Sequence, residues 1–475
     1  MARVTWGMLP APVCANSTLV WFRRDLRVTD NAALAAAAQL GGPVIPVYIH
    51  APEEDGAWRP GEASRWWLAR SLASLGASLA SRGSGLVVRR GPTRAALRQL
   101  LAETGASRVF LNRLYEPEAV TRDSALAKEF PARSFGGSLL FDPDAVRNGS
   151  GAPFRVFTPF WRVCLAQGGQ LTGSAPPPQL TAPAAWPKSD DIPQLRVHDR
   201  RGFADCWTPG EAGAHQQLRR FGDSALSDYG TARDTPGSAG TARLSPHLHF
   251  GEVSPGHLWN ATAGKRGGEG WQRQLGWREF AHHLLVGFPA TPEQPLRPEF
   301  AAFPWRADEA ALRAWSCGET GYPLVDAGMR ELWQTGWMHN RVRMVVASFL
   351  VKHLLSPWQE GAAWFWDTLV DADLANNTLG WQWAAGCGAD AAPYFRIFNP
   401  VLQGQKFDPT GVYVRRWVPE LALMPDRWIH SPWLAPADQL AKAEVRLGKN
   451  YPRPLVDHAA ARARALAAFS SLTGA

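Results

Sequence analysis

Short apolar runs alternate with amphipathic stretches along the first 135 residues of the chain. The apolar runs are rich in β-branched and aromatic residues, as buried strands are, and the stretches between them repeat apolar residues at helical spacing. In chain order they predict strand 17–22, helix 31–40, strand 43–50, helix 63–83, strand 85–91, helix 93–105 and strand 108–115. Asp30 is the predicted N-cap of the first helix. This alternation predicts a doubly wound, parallel, Rossmann-like α/β domain.

Strand signals fade from about residue 205, and helical spacing dominates the rest of the chain. The stretch 172–193 is rich in Pro, Ala and Ser, as linkers are. We therefore divide the chain into an α/β domain, an interdomain linker and a larger all-α domain, with bounds 17–135, 136–204 and 205–475. Residues 1–16 fit no element. Helical segments are predicted at 210–226, 271–286, 308–318, 323–336, 338–355 and 360–377.

Arginine supplies 43 of the 50 basic residues, and the formal net charge is +8. Arginine suits bidentate phosphate contacts better than lysine, so the excess is compatible with a nucleic-acid partner. GC-rich codon usage would give the same excess, so charge alone leaves the partner open. The 23 tryptophans indicate an aromatic-lined interior, a stacking surface or an electron path, with a well-filled core as the alternative.

Several classes of protein are disfavoured by what the chain lacks. The five cysteines are scattered without a C-x-x-C pair, which argues against a disulfide framework, a zinc site and a Cys-ligated iron–sulfur cluster. No G-x-G-x-x-G or Walker A sequence is present. No apolar run approaches the roughly 18 residues of a membrane span, and the N-terminus lacks the order of a signal peptide. We expect a cytoplasmic monomer that binds no metal and no membrane.

The first candidate site combines Asn340, Arg343 and Met344 with two later carboxylates, Asp371 and Asp373. Asn340 and Arg343 are three residues apart in a predicted helix and therefore share a face. A buried arginine needs a carboxylate partner, and we pair Arg343 with Asp371. The pair fits either a ligand site or a salt bridge between two helices.

A second candidate site is the stretch "TARLSPHLHFGEVSP" at 241–255. Thr241, Arg243 and Ser245 lie on a predicted turn that enters a helix at Pro246. Hydroxyls and backbone N–H groups at a helix N-terminus bind a diphosphate well, although they also serve as plain helix caps.

The third candidate site is "WQRQLGWREF" at 271–280. Trp271, Gln274 and Arg278 share one helical face, with Trp277 beside it. Such a face can stack a base and hydrogen-bond its edge, or it can belong to an ordinary core.

Long motifs in both halves resemble the photolyase/cryptochrome flavoproteins, and the resemblance covers nearly the whole chain. The "GYPLVDAGMRELW" and "DADL" stretches are similar to plant-type cryptochromes and to the class III bacterial photolyases; class I photolyases are the next most similar. The motifs are "WFRRDLRVTDNAAL" (21–34), "RVFTPFWR" (155–162), "RLSPHLHFGEVSP" (243–255), "WREF" (277–280), "TGYPLVDAGMRELWQTGWMHNRVRM" (320–344) and "DADLANNTLGWQWAAGCGADAAPYFRIFNP" (371–400).

The resemblance implies a U-shaped FAD in the helical domain. Arg343 and Asp371 would pair over the flavin ring, and Asp373 would accept from a ring N–H. Asn377 would face the flavin N5, where an amide hydrogen-bonds the reduced ring and an aspartate would donate a proton. The implied FAD residues are Tyr229, Thr241, Ala242, Arg243, Leu244, Ser245, Trp271, Gln274, Arg278, Asn340, Arg343, Asp371, Asp373 and Asn377.

The implied activity is light-driven repair of cyclobutane pyrimidine dimers in DNA by electron transfer from reduced FAD, a deoxyribodipyrimidine photo-lyase. The dimer would flip out of the duplex onto Trp277 and Trp383. Met344 and Asn340 would lie beneath it, and Asn377 and Gln274 complete the expected catalytic set. The implied DNA-binding residues are Trp277, Arg341, Arg396 and Lys406, and the implied electron path is Trp381, Trp358 and Trp305.

One position departs from a simple assignment. Gln274 stands where many dimer photolyases have Glu and (6-4) photolyases have Gln, yet Asn340 and Met344 match the dimer enzymes. A (6-4) photolyase and a cryptochrome-type blue-light photoreceptor therefore stay as alternatives. By family analogy the α/β domain would hold an antenna, methenyltetrahydrofolate or otherwise a deazaflavin, touched by Glu116 and Glu118.

Overall fold

The structure is a computed structural model that describes residues 16–168, 175–177, 179–192, 202–391, 393–394 and 396–473. The unassigned N-terminus up to residue 15 and parts of the predicted linker, 169–174 and 193–201, lie outside the described residues.

The N-terminal half is a parallel sheet covered by helices, as predicted. Its strands are β1 (Thr18–Phe22), β2 (Val44–His50), β3 (Val87–Arg90), β4 (Arg108–Asn112) and β5 (Ala132–Phe135), in the spatial order β3-β2-β1-β4-β5. The helices are α1 (Ala32–Gln39), α2 (Glu62–Ala80), α3 (Thr93–Thr104) and α4 (Pro117–Ala127), with a 3₁₀ segment at Pro52–Trp58. The predicted fold class is confirmed, and the sequence missed β5 because its pattern of half-buried and exposed residues lacks an apolar run.

The central strand, β1, fixes where this half of the molecule opens. Trp21 pairs in register with Val47 on one side and Leu111 on the other, and all five residues of β1 are buried. The strand order changes direction between β1 and β4, so a crevice forms beyond their carboxyl ends. Arg24 follows β1 and Glu116 follows β4, and both side chains line that crevice.

The N-cap prediction for α1 is wrong by one residue. Asn31 caps the helix, because its Oδ1 accepts from the backbone N–H of Leu34 at 3.0 Å. Asp30 has a φ of +53°, and its carboxylate instead accepts a hydrogen bond from the Ser254 hydroxyl of the helical half. The aspartate therefore joins the two halves of the molecule.

The remaining described chain is helical. Its helices are α5 (Phe157–Gln167), α6 (Phe203–Cys206), α7 (Glu211–Ser224), α8 (Tyr229–Ala232), α9 (Ser245–His249), α10 (Pro255–Thr262), α11 (Gly268–Gly287), α12 (Glu309–Cys317), α13 (Pro323–Thr335), α14 (Asn340–Ser348), α15 (Trp358–Thr368), α16 (Leu374–Ala385), α17 (Pro400–Phe407), α18 (Val412–Trp417), α19 (Ala437–Lys442) and α20 (His458–Thr473), with short 3₁₀ helices at Pro298–Ala302, Pro419–Leu421 and Pro432–Leu434. None of the helices in the described ranges is both long enough and apolar enough to cross a membrane.

Helix α5 lies inside the stretch predicted as linker, 136–204. Phe157, Phe160 and Trp161 are buried in an apolar cluster with Trp271 and Phe280 of α11. This part of the predicted linker therefore packs as a component of the helical half.

The predicted single helical segment 360–377 is interrupted. Helix α15 ends at Thr368, residue Leu369 is extended, and α16 begins after Asp373, whose Oδ1 accepts from the N–H of Asn376 at 2.9 Å. Asp371 and Asp373 therefore lie in a break between two helices and not on the face of one helix. Likewise, the predicted helix 338–355 is α14 followed by a π-helical turn at Phe349–His353.

Candidate active site

A cavity of about 550 Å³, the main cavity, lies between α8, the turn before α9, α11, α14, the break at Leu369–Asp373, and α16. A volume of this size is typical of sites for large organic ligands. It collects residues that are far apart in sequence, and all fourteen of the FAD residues implied by the resemblance line it: Tyr229, Thr241, Ala242, Arg243, Leu244, Ser245, Trp271, Gln274, Arg278, Asn340, Arg343, Asp371, Asp373 and Asn377. Trp277, Met344 and Trp383 line it as well.

Arg343 and Asp371 form the predicted ion pair. The Arg343 Nη2 donates to both carboxylate oxygens of Asp371, at 2.9 and 3.1 Å, while its Nε donates to the carbonyl oxygen of Met338 at 2.8 Å. Asp371 also accepts from the Ser245 hydroxyl at 2.6 Å. Because the Asp371 side chain is only 3% exposed, this network is fixed by the protein before any ligand binds.

Arg243 is held by aromatic rings rather than by a carboxylate. Its guanidinium carbon lies 4.5 Å from the ring centroid of Trp207 and 4.7 Å from that of Trp337. Its backbone has a φ of +50°, which a non-glycine residue adopts at a cost. The buried Nε has no hydrogen-bond partner among the described residues. A stacked guanidinium with a free buried donor fits a phosphate group, so the cavity passes a test for a diphosphate-bearing cofactor such as FAD.

Asp373 lines the main cavity and also faces two buried histidines. Its Oδ2 is 3.7 Å from His249 Nδ1 and 3.6 Å from His282 Nε2. Burial would raise the pKa of this carboxyl, but His282 and His249 when protonated, together with Arg278, hold the pKa well below its usual range. Asp373 is therefore an ionised acceptor at neutral pH.

Asn377 presents its amide oxygen to the cavity. Its Nδ2 donates to the carbonyl oxygen of Ala362 at 3.0 Å, which leaves Oδ1 available as an acceptor. An aspartate here would place a carboxylate oxygen against the Ala362 carbonyl, and that contact is favourable only when the carboxyl is protonated.

The mouth of the cavity carries an aromatic platform. The ring of Trp277 stacks on Phe157 of α5, with centroids 3.9 Å apart and planes 7° from parallel. Gln274 lies beside it, and its Oε1 accepts from Arg233 Nη2 at 3.4 Å. Its Nε2 donates to the carbonyl oxygen of Gly270 at 3.4 Å, so the second amide hydrogen is left to donate.

The three predicted electron-path tryptophans share one apolar cluster but differ in exposure. Trp381 lines the cavity and is 2% exposed, Trp358 is 1% exposed, and Trp305 is half-buried at the edge of the cluster. Gly361 allows Trp381 its position, because a Cβ there would meet the indole at 2.1 Å. Trp305 is thus the most exposed of the three, and Trp381 is the one that lines the cavity.

The predicted DNA-binding residues are only partly gathered at the mouth. Arg341 lines the cavity, forms an ion pair with Asp234 at 2.8 Å, and lies over the ring of Phe407 at 4.3 Å. Lys406 lies over the same ring at 5.1 Å. Arg396 is exposed and does not line the cavity.

The crevice at the carboxyl end of β1 and β4 has a volume of about 100 Å³. Both predicted antenna residues, Glu116 and Glu118, line it. Glu116 is buried and paired with Arg24, which lowers the pKa of the glutamate although burial works in the opposite direction. The volume is below the few hundred Å³ typical of cofactor sites.

Sequence reasoning missed several residues that shape the main cavity. Phe157 supports Trp277, Trp207 and Trp337 clamp Arg243, and Arg233 orients Gln274. Phe157 and Trp337 lie within motifs that carried the resemblance, so their position was the available signal. Trp207 carried none, because its contact depends on the tertiary packing.

Two family models match separate parts of the chain. The DNA photolyase model matches residues 18–183, and the model of the FAD binding domain of DNA photolyase matches residues 271–471. The chain belongs to the photolyase/cryptochrome family. This confirms the predicted family, and the FAD-binding domain lies in the half that contains the main cavity.

This photolyase-family chain is 50% identical over 470 residues to a deoxyribodipyrimidine photo-lyase of Agrobacterium fabrum, covering 96% of this chain and 98% of the relative. It is 43% identical to Cryptochrome-1 of Arabidopsis thaliana, covering 96% of this chain and 70% of that protein. Among solved structures, a bacterial class III photolyase from Agrobacterium tumefaciens superposes with a TM-score of 0.93 at 48% identity, covering 99% of this chain and all of the other.

Proposed function

We propose that this chain is a deoxyribodipyrimidine photo-lyase that uses FAD and light to repair cyclobutane pyrimidine dimers in DNA. The observation that carries the proposal is the main cavity, which is lined by Trp277, by the fixed Arg343–Asp371 pair, and by Arg243, whose buried Nε has no hydrogen-bond partner among the described residues. When bound, reduced and excited by light, FAD supplies an electron to the joined pyrimidines, and the electron returns after the cyclobutane ring opens.

The chain's own residues bind and orient the cofactor. Arg243, on the turn before α9, offers its guanidinium to the diphosphate, and Ser245, the first residue of α9, orients Asp371 through its hydroxyl. Arg343 offers the flavin ring a cation whose charge Asp371 balances, and Asp373 accepts from a ring N–H. Nearby side chains complete the binding surface: Tyr229, Thr241, Ala242, Leu244, Trp271, Gln274, Arg278 and Asn340.

Asn377 accepts a hydrogen bond from the flavin ring and gives no proton to it. Its free Oδ1 accepts from a ring N–H, and its Nδ2 stays bound to the Ala362 carbonyl. Asn377→Asp brings in a carboxyl that is protonated beside that carbonyl and can give its proton away. The absorption spectrum of the photoreduced, FAD-loaded variant should therefore differ from that of the wild type, and identical spectra would contradict this role.

The lesion binds at the mouth of the cavity. A dimer is poorly stacked in the duplex, so its extrusion costs less than that of a normal base pair, and photolyases are among the enzymes that work on extruded bases. Trp277 and Trp383 stack against it, each contributing about 1–3 kcal/mol, and Met344 and Asn340 lie below. Arg341, Lys406 and Arg396 contact the DNA backbone, so the affinity for DNA falls as the salt concentration rises. The protein acts as a monomer.

Gln274 supports dimer specificity through the direction of its amide. Arg233 engages Oε1 and the Gly270 carbonyl accepts one amide hydrogen, so the second amide hydrogen can donate to a pyrimidine carbonyl. Asn340 and Met344, rather than histidines, lie at the floor, which favours a cyclobutane dimer over a (6-4) product as the substrate.

Trp305, Trp358 and Trp381 return the cofactor to its reduced state by passing electrons inward from the surface. Trp381 borders the cavity and Trp305 is the most exposed of the three, which sets the direction of transfer.

An antenna of the methenyltetrahydrofolate or deazaflavin type would bind at the crevice with Glu116 and Glu118. Since the crevice is small, its walls would have to part to admit either ring system. An absorption band beyond that of FAD in gently purified protein supports an antenna.

The proposed activity is tested by illuminating reduced, FAD-loaded protein with dimer-containing and with (6-4)-containing oligonucleotides. We expect dimers to revert under blue light and (6-4) products to persist. Reversal of (6-4) products would transfer the assignment to that class, and loss of neither lesion despite a photoreducible flavin would favour a photoreceptor.

A further inference from the structure

A small buried space separates the crevice from the main cavity, at the junction of the two halves of the molecule. It has a volume of about 20 Å³, room for one water molecule, and eight charged or titratable side chains line it, of which five are treated as one group. We call this group the junction cluster: Arg24, Glu116, His249, His282 and Asp373. Asp373 and His249 also line the main cavity, so the cluster is in direct contact with the flavin site.

The carboxylate of Asp373 points one oxygen at two imidazoles without a direct hydrogen bond. Its Oδ1 is engaged by the backbone and side-chain amides of Asn376, at 2.9 and 2.6 Å. Its Oδ2 lies 3.6 Å from His282 Nε2 and 3.7 Å from His249 Nδ1, and both distances exceed hydrogen-bond length. A water molecule in the small space would bridge these atoms.

The tautomer of His282 is set by its helix. His282 Nδ1 lies 3.0 Å from the carbonyl oxygen of Arg278, and a carbonyl oxygen only accepts, so Nδ1 carries the hydrogen. In the neutral ring Nε2 is then a bare lone pair directed toward the Asp373 carboxylate. His249 Nδ1 has no hydrogen-bond partner within the described part of the chain.

The protonation states leave one vacant proton site. The pKa of Asp373 is held well below its usual range, and the pKa of Glu116 is lowered by Arg24 against the effect of burial. Burial lowers the pKa of both His249 and His282, so the imidazoles are neutral at pH 7. Three guanidiniums, Arg24, Arg27 and Arg278, and two carboxylates, Glu116 and Asp373, then line the space, and a neutral imidazole is the group that can still change charge.

We propose that His282 is a positioning residue for the flavin site, which takes up one proton at Nε2 when negative charge enters the main cavity. The inference rests on the proposed function, because reduction of bound FAD supplies that charge. The proton comes from solvent through the bridging water, and the resulting imidazolium lies between the Asp373 carboxylate and the Arg278 carbonyl. Glu116, fixed by Arg24, stabilises the imidazolium from the α/β side.

The groups around His282 allow this change of charge. Asp373 and Glu116 favour the imidazolium of His282, whereas Arg278 on the same helix opposes it. A further negative charge shifts this balance because Coulomb attraction is strong in a buried space. Arg24 and Arg278 also disfavour a divalent cation among the side chains of the junction cluster. The other titratable groups that face the space are Arg27, Tyr115 and His249, and Glu279 lies next to Arg278.

The number of protons that accompany reduction tests this inference independently of repair. A flavin reduced by two electrons to its anionic form takes up one proton itself, and each proton contributes about 30 mV per pH unit to the midpoint potential of a two-electron couple. Between pH 6.5 and 8.5 we expect about 60 mV per pH unit for FAD in the wild-type protein and about 30 mV in His282→Gln.

His283→Gln is the matched control. It is the next residue on α11, but its Nε2 accepts from the Phe154 N–H at 2.9 Å and its ring packs among aromatic residues away from the cluster. We expect it to keep the wild-type slope. A wild-type slope of about 30 mV per pH unit overturns the proposal even if His282→Gln does not fold, and equal slopes in wild type and His282→Gln do the same. A protein that binds no FAD or repairs no dimer would instead refute the proposed function.

Discussion

The main cavity and the crevice both lie where the fold opens, yet they differ in size and in how their charged groups are satisfied. The main cavity holds about 550 Å³ and contains a guanidinium with a free buried donor. The crevice holds about 100 Å³, and the buried acid at its edge is already neutralised by Arg24. Both regions keep buried donors without a partner in the described part of the chain, Arg243 Nε in the main cavity and Trp21 Nε1, Arg23 Nε and Ser64 Oγ at the crevice, so it is the volume that marks the main cavity as the larger ligand site. The difference predicts that substitutions in the two regions act on different properties.

The largest expected effect comes from breaking the ion pair of the main cavity. Arg343→Ala leaves the Asp371 carboxylate buried without its partner, so we expect the free energy of unfolding to fall by about 3 kcal/mol. Denaturant unfolding of the apoprotein measures this. Arg341→Ala, which removes a more exposed ion pair with Asp234, should cost less than about 1 kcal/mol. Equal losses in the two variants would mean that the buried pair has no special role.

A smaller loss is expected where Trp381 approaches the backbone. In Gly361→Ala the new methyl group overlaps the indole, and overpacking of this kind costs about 1–3 kcal/mol. Photoreduction of bound FAD should also slow, because Trp381 must shift. Gly222→Ala on α7 has no atom within 4 Å and should stabilise the helix slightly. If Gly361→Ala leaves both stability and photoreduction unchanged, the position of Trp381 is not set by this contact.

The affinity for FAD should depend on the shape of Arg243 as well as its charge. Arg243→Lys keeps the charge but loses the planar stack between Trp207 and Trp337, so we expect FAD to bind about tenfold more weakly, equivalent to about 1.4 kcal/mol. Equilibrium titration of the apoprotein with FAD measures the change. Arg220→Lys, on the exposed face of α7, is the control and should bind as the wild type does. Wild-type FAD affinity in Arg243→Lys would show that the stacking of Arg243 between Trp207 and Trp337 does not contribute to FAD binding.

The smallest effect is expected in the crevice. Glu118→Gln should leave FAD affinity and dimer repair under direct flavin excitation unchanged, because the residue does not line the main cavity. It should alter only an absorption band from a second chromophore. Comparing the wavelength dependence of repair in wild type and variant checks this, and a loss of FAD would show that the two regions are not separate.

The sequence predicted which segments are largely helical and which residues line the main cavity. It did not predict where the helices break or how the side chains of the cavity are held. Asp371 and Asp373 were assigned correctly to the cavity, but on a helix, because their spacing fits helical periodicity and the capping of α16 by Asp373 depends on tertiary contacts. Asp30 was misplaced as a cap because its carboxylate is recruited by Ser254, 224 residues away. The clamp on Arg243 could not be predicted, since Trp207 and Trp337 meet it only in the folded chain. Glu116 was assigned to the antenna alone, although it also faces the flavin side.

The most direct measurement of the central claim is dimer repair by protein loaded with FAD alone, at one FAD per chain. If the main cavity holds the cofactor that does the chemistry, reduced protein in this form should restore pyrimidine monomers under blue light and leave the dimers intact in the dark. Absence of repair at full FAD occupancy, or repair only after a second chromophore is added, would contradict the account.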